Sequence, residues 1–343
     1  MTLSVKIANL VLTRRCNLKC SYCRISGNVG YQGKPIEYPD LNYYITNEKG
    51  EDFWIENINI LHKHNPEIFF IIFGGEPFLY SGLEKIINHL NNNDMLYTVI
   101  SNSTDDLQKI RDKVFNKVGF IRGYTASIDP GFERGLIKDK SIYQKSIFGF
   151  NTLKTLMKKK LIKDPVAELT IDSNSISYVK DTIQFLTNYG ICSDITVIDV
   201  AKTPFYDFSN ITDKSNLVYP TQEVKELFDE LKNSNLNIHM KDTLLDKIFE
   251  ILPANNNCDS CCNVRHNITI DSDGKLRLCY RIRGKFVSKY NLKDYLDSSG
   301  NPIKGISAKV GNAYAVDKQD LCRGCAWTCT VMSQLDQENI NFH

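Results

Sequence analysis

Apolar, β-branched and aromatic residues bunch into short runs at 5–12, 68–73, 96–101, 121–128, 167–172 and 194–200, each the length of a strand buried in a sheet. Between the runs, residues near 52–64, 81–92, 105–117, 142–161 and 177–189 place their apolar positions at helical spacing, with Asp105 and Ser177 as expected N-caps. Strand and helix in alternation predict parallel βαβ units, because parallel neighbours need a crossover and a helix supplies it. Six such strands make an α/β fold, either an open doubly wound sheet or an incomplete barrel.

The first crossover departs from the short-loop norm. Residues 24–50 are rich in Gly, Pro and Tyr before any helix begins, so they read as an inserted loop, either a substrate-facing lid or a plain surface excursion. After the sixth strand the alternation stops. Helical stretches at 221–234 and 241–252 lead to the Pro/Asn-rich break PANNNC, which sets a boundary near residue 254. Beyond it, NITIDSDGKLRLCYR predicts a β-hairpin turning on Asp273-Gly274. The expected organisation is a barrel over 1–200 with its insertion, linking helices over 201–254, and a small Cys-rich domain over 255–343.

Composition narrows the function classes. At 343 residues and 42% hydrophobic, the chain can bury one large core and a smaller one. With 42 Lys and Arg against 40 Asp and Glu, the charge balance points to neither a nucleic acid nor a membrane surface, and the basic run KTLMKKKLIK (154–163) reads as a solvated helix face. The longest fully apolar run, IFFIIF (68–73), falls far short of the ~20 residues of a transmembrane helix. The start MTLSVKIANLVLT has no secretory pattern, so a cytoplasmic location is expected. In that compartment eleven cysteines read as metal ligands sooner than as disulfides.

Three of them, Cys16, Cys20 and Cys23, stand as C-x3-C-x2-C in TRRCNLKCSYC directly after the first strand. Three is too few for a closed four-ligand zinc site, but three thiolates on an iron–sulfur cube leave one iron open to a ligand. In parallel α/β barrels the chemistry gathers at the C-terminal strand ends, where this loop lies. The second strand ends in FGGEPF, with Gly74 and Gly75 allowing close backbone approach to a ligand, a carboxylate at Glu76 and a stiffening Pro77. The other ends carry Ser101-Asn102, Ser127 and Asp129, Asp172 with Asn174, and Asp199, small groups suited to a ligand's hydroxyls and amine.

C-x3-C-x2-C after the first strand followed by GGEP after the second resembles the radical S-adenosylmethionine (SAM) superfamily, over roughly residues 5–200. The resemblance implies a partial (β/α)6 TIM-like barrel. It implies that Cys16, Cys20 and Cys23 bind a [4Fe–4S] cluster whose fourth iron takes the amine and carboxylate of SAM. It further implies that Tyr22 meets the adenine, that Gly74, Gly75 and Glu76 hold the methionine end with Glu76 accepting from the ammonium, and that Ser101, Asn102, Ser127, Asp129 and Asp172 sit where further SAM contacts fall. One electron from the cluster then cleaves SAM, and the 5′-deoxyadenosyl radical removes a substrate hydrogen. A non-catalytic zinc or iron–sulfur protein would explain the thiols alone and leave FGGEPF as coincidence.

The C-terminal block resembles the auxiliary-cluster modules called SPASM and twitch. Cys262 is followed by eleven residues, Gly274, KLRL and Cys279, and CRGCAWTC holds Cys322, Cys325 and Cys329. A full SPASM module continues further than this, so the seven thiols fill either one four-cysteine cluster with three over, or two clusters of which one is incompletely ligated. At least one auxiliary [4Fe–4S] cluster is expected, on ligands drawn from Cys258, Cys261, Cys262, Cys279, Cys322, Cys325 and Cys329, with a zinc ribbon as the plainer alternative. Cys192 is expected in a loop before the sixth strand, as a packed thiol.

For the substrate, the resemblance implies a peptide modified by crosslinking, oxidation or epimerisation, or else a small molecule such as a sugar, cyclitol or cofactor precursor. A flavodoxin- or ferredoxin-type electron donor goes with either. The first strand begins so near residue 1 that a leader peptide would need a separate recognition protein or the 24–50 insertion.

Overall fold

The structure is a computed structural model, and it describes residues 5–18, 41–197, 222–239, 267–277 and 291–296. All six expected strands form: β1 (Ile7–Val11), β2 (Phe69–Phe73), β3 (Leu96–Ser101), β4 (Ile121–Ile128), β5 (Ile162–Ile171) and β6 (Cys192–Val197). They run parallel in the order β6-β5-β4-β3-β2-β1. The crossovers carry helices α2 (Glu51–His64), α3 (Leu83–Asn92), α4 (Gln108–Val118), α5 (Lys140–Lys158) and α6 (Val179–Asn188). A short α1 (Leu41–Thr46) lies inside the interval expected to be loop, and α7 (Gln222–Lys232) follows the sixth strand.

The expected hairpin forms too, in a place the sequence does not announce. Strand β7 (Asn267–Ile270) joins the open side of β1 in parallel, from Ile7 opposite Asn267 to Leu10 opposite Ile270. Strand β8 (Leu276–Arg277) turns back antiparallel, through a turn in which Gly274 takes φ 80°. The sheet is thus seven parallel strands with an antiparallel eighth at the edge, an open partial barrel. Covering β1 this way removes an exposed edge beside Ala8 and Leu10, which are fully buried.

The side-chain alternation of the strands divides the molecule. Ala126 and Ile128 of β4 pack on α5 at Gly149, where an added Cβ would meet both at 3.3 Å. With them on the helix-covered side lie Phe70, Ile72, Tyr97, Val99, Leu169 and Ile195, all within 1% of full burial. The alternate positions, Thr98, Thr125, Ser127, Glu168, Thr170, Asp194 and Thr196, fall on the opposite, concave face by pleat and register.

Several boundaries differ from expectation for local reasons. Helix α5 ends at Lys158, earlier than the apolar pattern predicts, because Lys160 adopts φ 55° and closes the helix with Leu161 N–H donating to Leu156 O and Lys160 N–H to Met157 O. No glycine marks that stop. Strand β5 then starts at Ile162 and tolerates Pro165, since β6 pairs with β5 only from Val166 onward. Asp105 and Ser177 do not cap α-helices, because α4 and α6 are entered through 3-10 turns at Asp105–Leu107 and Ile176–Tyr178. Cys192 is the first residue of β6 and not part of the loop before it. Among the described residues, no helix is long and apolar enough to cross a membrane.

Candidate active site

The chain leaving β1 stays beside the chain leaving β2. Leu12 N–H donates to Phe73 O (2.9 Å), Gly75 N–H to Thr13 O (2.7 Å) and Glu76 N–H to Arg15 O (2.8 Å), so the ladder continues past both strands. Only a bare backbone permits this: a Cβ on Gly74 would lie 2.3 Å from Thr13 O, and one on Gly75 would lie 2.1 Å from Arg15 O. The expectation for these glycines is close approach to a ligand, whereas their immediate neighbour in the structure is the chain's own backbone at Thr13–Arg15, just before Cys16.

Glu76 sits beneath that contact with no exposed surface. Its Oε1 accepts from Ser101 Oγ (2.9 Å) and Phe78 N–H (3.2 Å), and its Oε2 from Asn102 N–H (2.8 Å). Burial lifts its carboxyl to about 7, against the opposing pull of the hydrogen bonds from Asn102, Phe78 and Ser101.

Asn102 faces both ways. Its side-chain amide donates to Cys16 Sγ (3.7 Å) and to Asn17 Oδ1 (2.9 Å), while Leu18 N–H donates to the same sulfur at 3.4 Å. Asn17 in turn donates to Thr104 Oγ1 (2.6 Å) and to the Asp106 carboxylate (2.9 Å). Cys16 and Glu76 are therefore joined through one residue at the end of β3. Next to it, Ser103 is buried in a left-handed conformation (φ 56°), costing on the order of 1 kcal/mol, and is held there by the Tyr124 hydroxyl at 2.7 Å.

The two arginines before Cys16 are fastened from different sides. Arg14 is 4% exposed and forks onto the fully buried Asp271 just past β7, with Nε to Oδ1 at 2.9 Å and Nη2 to Oδ2 at 2.5 Å. Burial opposes the Arg14 charge, and Asp271 more than offsets it, so its pKa stands above the ordinary arginine value. The Tyr44 ring lies 4.9 Å from the guanidinium. Arg15 Nη2 donates to Glu48 Oε1 at 2.6 Å.

Other expected site residues are engaged elsewhere. The carboxylate of Asp129 pairs with Lys145 of α5, which is 1% exposed, and also accepts from Ser146 Oγ at 3.3 Å. Asp172 Oδ1 accepts from Ser175 N–H (2.8 Å), and Ser175 Oγ accepts in return from Asp172 N–H (2.9 Å), so Asp172 braces the turn into α6. Ser127 faces Glu168 across β4 and β5. Cys20, Cys23, Tyr22, Asp199 and the cysteines 258, 261, 262, 279, 322, 325 and 329 lie outside the described residues.

The cysteine loop, the GGE segment and the β3 end fall within one stretch that matches a known family model: residues 10–120 match the Radical SAM superfamily. This part of the chain is a radical SAM superfamily domain. The chain is 22% identical over 334 residues to the radical SAM cyclopropyl synthase TigE of Paramaledivibacter caminithermalis, covering 95% of this chain and 68% of TigE. It is also 22% identical over 288 residues to the GTP 3′,8-cyclase of Aquifex aeolicus, covering 80% of this chain and 82% of the cyclase. Among solved structures, Streptococcus suis SuiB bound to SAM shares the fold at TM-score 0.55 and 14% identity, covering 80% of this chain. The chain spans 58% of that SuiB chain, less than two thirds of its length. SuiB bound to precursor peptide SuiA aligns at TM-score 0.58 and 12% identity, over 95% of this chain and 76% of SuiB.

The donor set of the radical SAM domain fits a thiolate-bound cluster at Cys16, since two N–H groups point at its sulfur, as a metal-bound thiolate favours. Several residues around the domain were not legible beforehand. Asn17 follows Cys16 and has no period to mark it. Glu168 and Thr170 are half-buried polar positions at strand spacing in β5, a signal available in the sequence. Glu168 lies directly opposite Asp194 of β6 and accepts from Thr196 Oγ1 at 3.2 Å. Burial first, and then the neighbouring Asp194, lift its carboxyl to about 7.

Proposed function

We propose that this chain is a radical SAM enzyme that modifies a peptide. Asn102 is the observation that carries it, because one residue joins Cys16, the first expected cluster ligand, to Glu76, the expected partner of the SAM ammonium. On this reading Cys16, Cys20 and Cys23 hold the [4Fe–4S] cluster, Tyr22 meets the adenine, and Gly74, Gly75 and Glu76 receive the methionine end. Ser101 and Asn102 orient Glu76, and Ser127 lines the approach to the remaining SAM groups, while Asp129 and Asp172, expected there too, are held by Lys145 and Ser175. When bound, the cluster and SAM supply a hydrogen-abstracting radical from a single donated electron. The chain's own part is to hold the loop against the sheet, keep Glu76 away from water and present the polar concave face, including Glu168, to the substrate.

Support for a peptide comes from the likeness in fold to SuiB, whose structure holds a precursor peptide. The GTP 3′,8-cyclase relative supports the small-molecule alternative. The C-terminal cysteines would carry at least one auxiliary [4Fe–4S] cluster in a SPASM- or twitch-like module over 255–343, joined to the 1–200 barrel by the 201–254 linking helices. A flavodoxin or ferredoxin would supply the electron. Anaerobic reconstitution, iron and sulfide counting, and 5′-deoxyadenosine formation under dithionite test the reading. A colourless, iron-free protein that leaves SAM intact would overturn it, and persistent zinc without labile sulfide would remove the auxiliary cluster.

Glu76→Gln separates cofactor binding from cluster assembly. Loss of a charge-assisted hydrogen bond is expected to weaken SAM binding tenfold or more, by about 1.5–3 kcal/mol, with iron content retained. In the apo-protein the same substitution has a pH signature. Because the folded state keeps Glu76 protonated up to about 7, against an ordinary 4.5, folding binds a proton in that window. Stability of the parent chain should therefore fall as pH rises from 4.5 towards 7, by on the order of 3 kcal/mol from this group, and Glu76→Gln should flatten that part of the profile. Melting curves across the window measure it.

A further inference from the structure

We propose that Arg14 and Asp271 are a positioning pair that makes the β7–β8 hairpin set the place of Cys16, so that the hairpin lying between Cys262 and Cys279 in the sequence governs assembly of the first cluster. The inference rests on the proposed radical SAM function and deepens it.

The geometry is that of a register device. Arg14 is two residues before Cys16, and Asp271 is 257 residues further along the chain than Arg14. Both side chains are buried, and the guanidinium meets the carboxylate with two parallel hydrogen bonds, which fix orientation as well as distance. Tyr44 stacks near the guanidinium, and Ser272 N–H donates to Asp271 Oδ1 at 2.8 Å, so the acceptor is itself held. Further contacts close the arrangement: Lys49 N–H donates to Ser272 O at 2.9 Å, and Glu48 beside it takes Arg15 at 2.6 Å. The loop before Cys16 is thus gripped by the GGE segment on one side and by the hairpin and residues 48–49 on the other.

Burying two charges is a poor way to gain stability, since an apolar pair of similar volume serves as well or better. Orientation is what the ionic pair adds. The hairpin also leads within two residues from Arg277 to Cys279, so the same clamp relates the two cysteine groups along the chain.

The test uses the full chain with three changes: Asp271→Asn, Arg14→Lys, and Arg14→Met combined with Asp271→Leu. Two readouts do not depend on turnover: the rate of alkylation of Cys16 in the apo-protein, resolved by peptide mass spectrometry, and the SAM-sensitive electron paramagnetic resonance signal of the reduced cluster. The double variant is expected to melt within a few degrees of the parent yet alkylate Cys16 at least about tenfold faster and lose about 10–100-fold in iron affinity at the first site. Arg14→Lys, which keeps the charge and loses the fork, should fall between parent and double variant. A folded double variant with parental alkylation and parental signal overturns the proposal, and so does a double variant that fails to fold, since the pair would then be structural. If the parent itself gives no SAM-sensitive signal, the radical SAM function fails while the alkylation rates still decide whether the clamp exists.

Discussion

Gly75→Ala is expected to unseat the cysteine loop. The new Cβ would lie 2.1 Å from Arg15 O and 2.6 Å from Arg15 C, distances that no rotamer relieves because the backbone fixes the Cβ and the atoms it meets are main chain. Moving Arg15 away would break the hydrogen bonds from Gly75 N–H to Thr13 O and from Glu76 N–H to Arg15 O, and would leave Glu76 and Arg14 buried with displaced partners. Overpacking of this kind costs about 3 kcal/mol, and the buried polar groups around it push the figure higher. A melting temperature lower by roughly 5–15 °C is expected, together with loss of the first cluster on reconstitution. Gly50→Ala is the matched control: nothing lies within 4 Å of its added Cβ, and its φ of −72° suits any residue, so the change should stay within about 1 kcal/mol. Parental stability and iron content in Gly75→Ala would show that the loop does not need this contact.

Cys16→Ala should have the larger effect on activity and the smaller one on the fold. Cys16 is half-buried, and its sulfur accepts weak hydrogen bonds from Asn102 and Leu18 that the apo-protein can lose at little expense. Circular dichroism and the melting temperature should therefore stay near those of the parent. Cluster binding, by contrast, depends on every thiolate of a three-cysteine set. Dithionite-dependent 5′-deoxyadenosine is expected to drop to background in Cys16→Ala, and likewise in Cys20→Ala and Cys23→Ala. Cys192→Ala, in β6, should retain parental rates. Undiminished 5′-deoxyadenosine in the Cys16 variant would contradict the cluster assignment.

Much of this protein was determined by local sequence. The six strands, the crossover helices and the turn at Asp273-Gly274 follow from apolar periodicity and turn chemistry, which act over a few residues and so can be read there. Cysteine spacing and FGGEPF are local too, and the strand-then-loop order alone places both at one end of a parallel sheet. What the tertiary structure decided is pairing between distant segments. Nothing in NITI marks it as the neighbour of β1 sooner than of another edge, because any apolar strand fits an open ladder. Arg14 and Asp271 are unremarkable singly and become a buried ion pair only when β7 docks. Lys145 shares the buried face of α5 with Gly149 and Leu153, where its charge is out of place by sequence alone, and Asp129 just past β4 meets it there. The end of α5 has a related cause: Lys160 takes a glycine-like conformation that its own identity does not favour, and the tertiary fold imposes it.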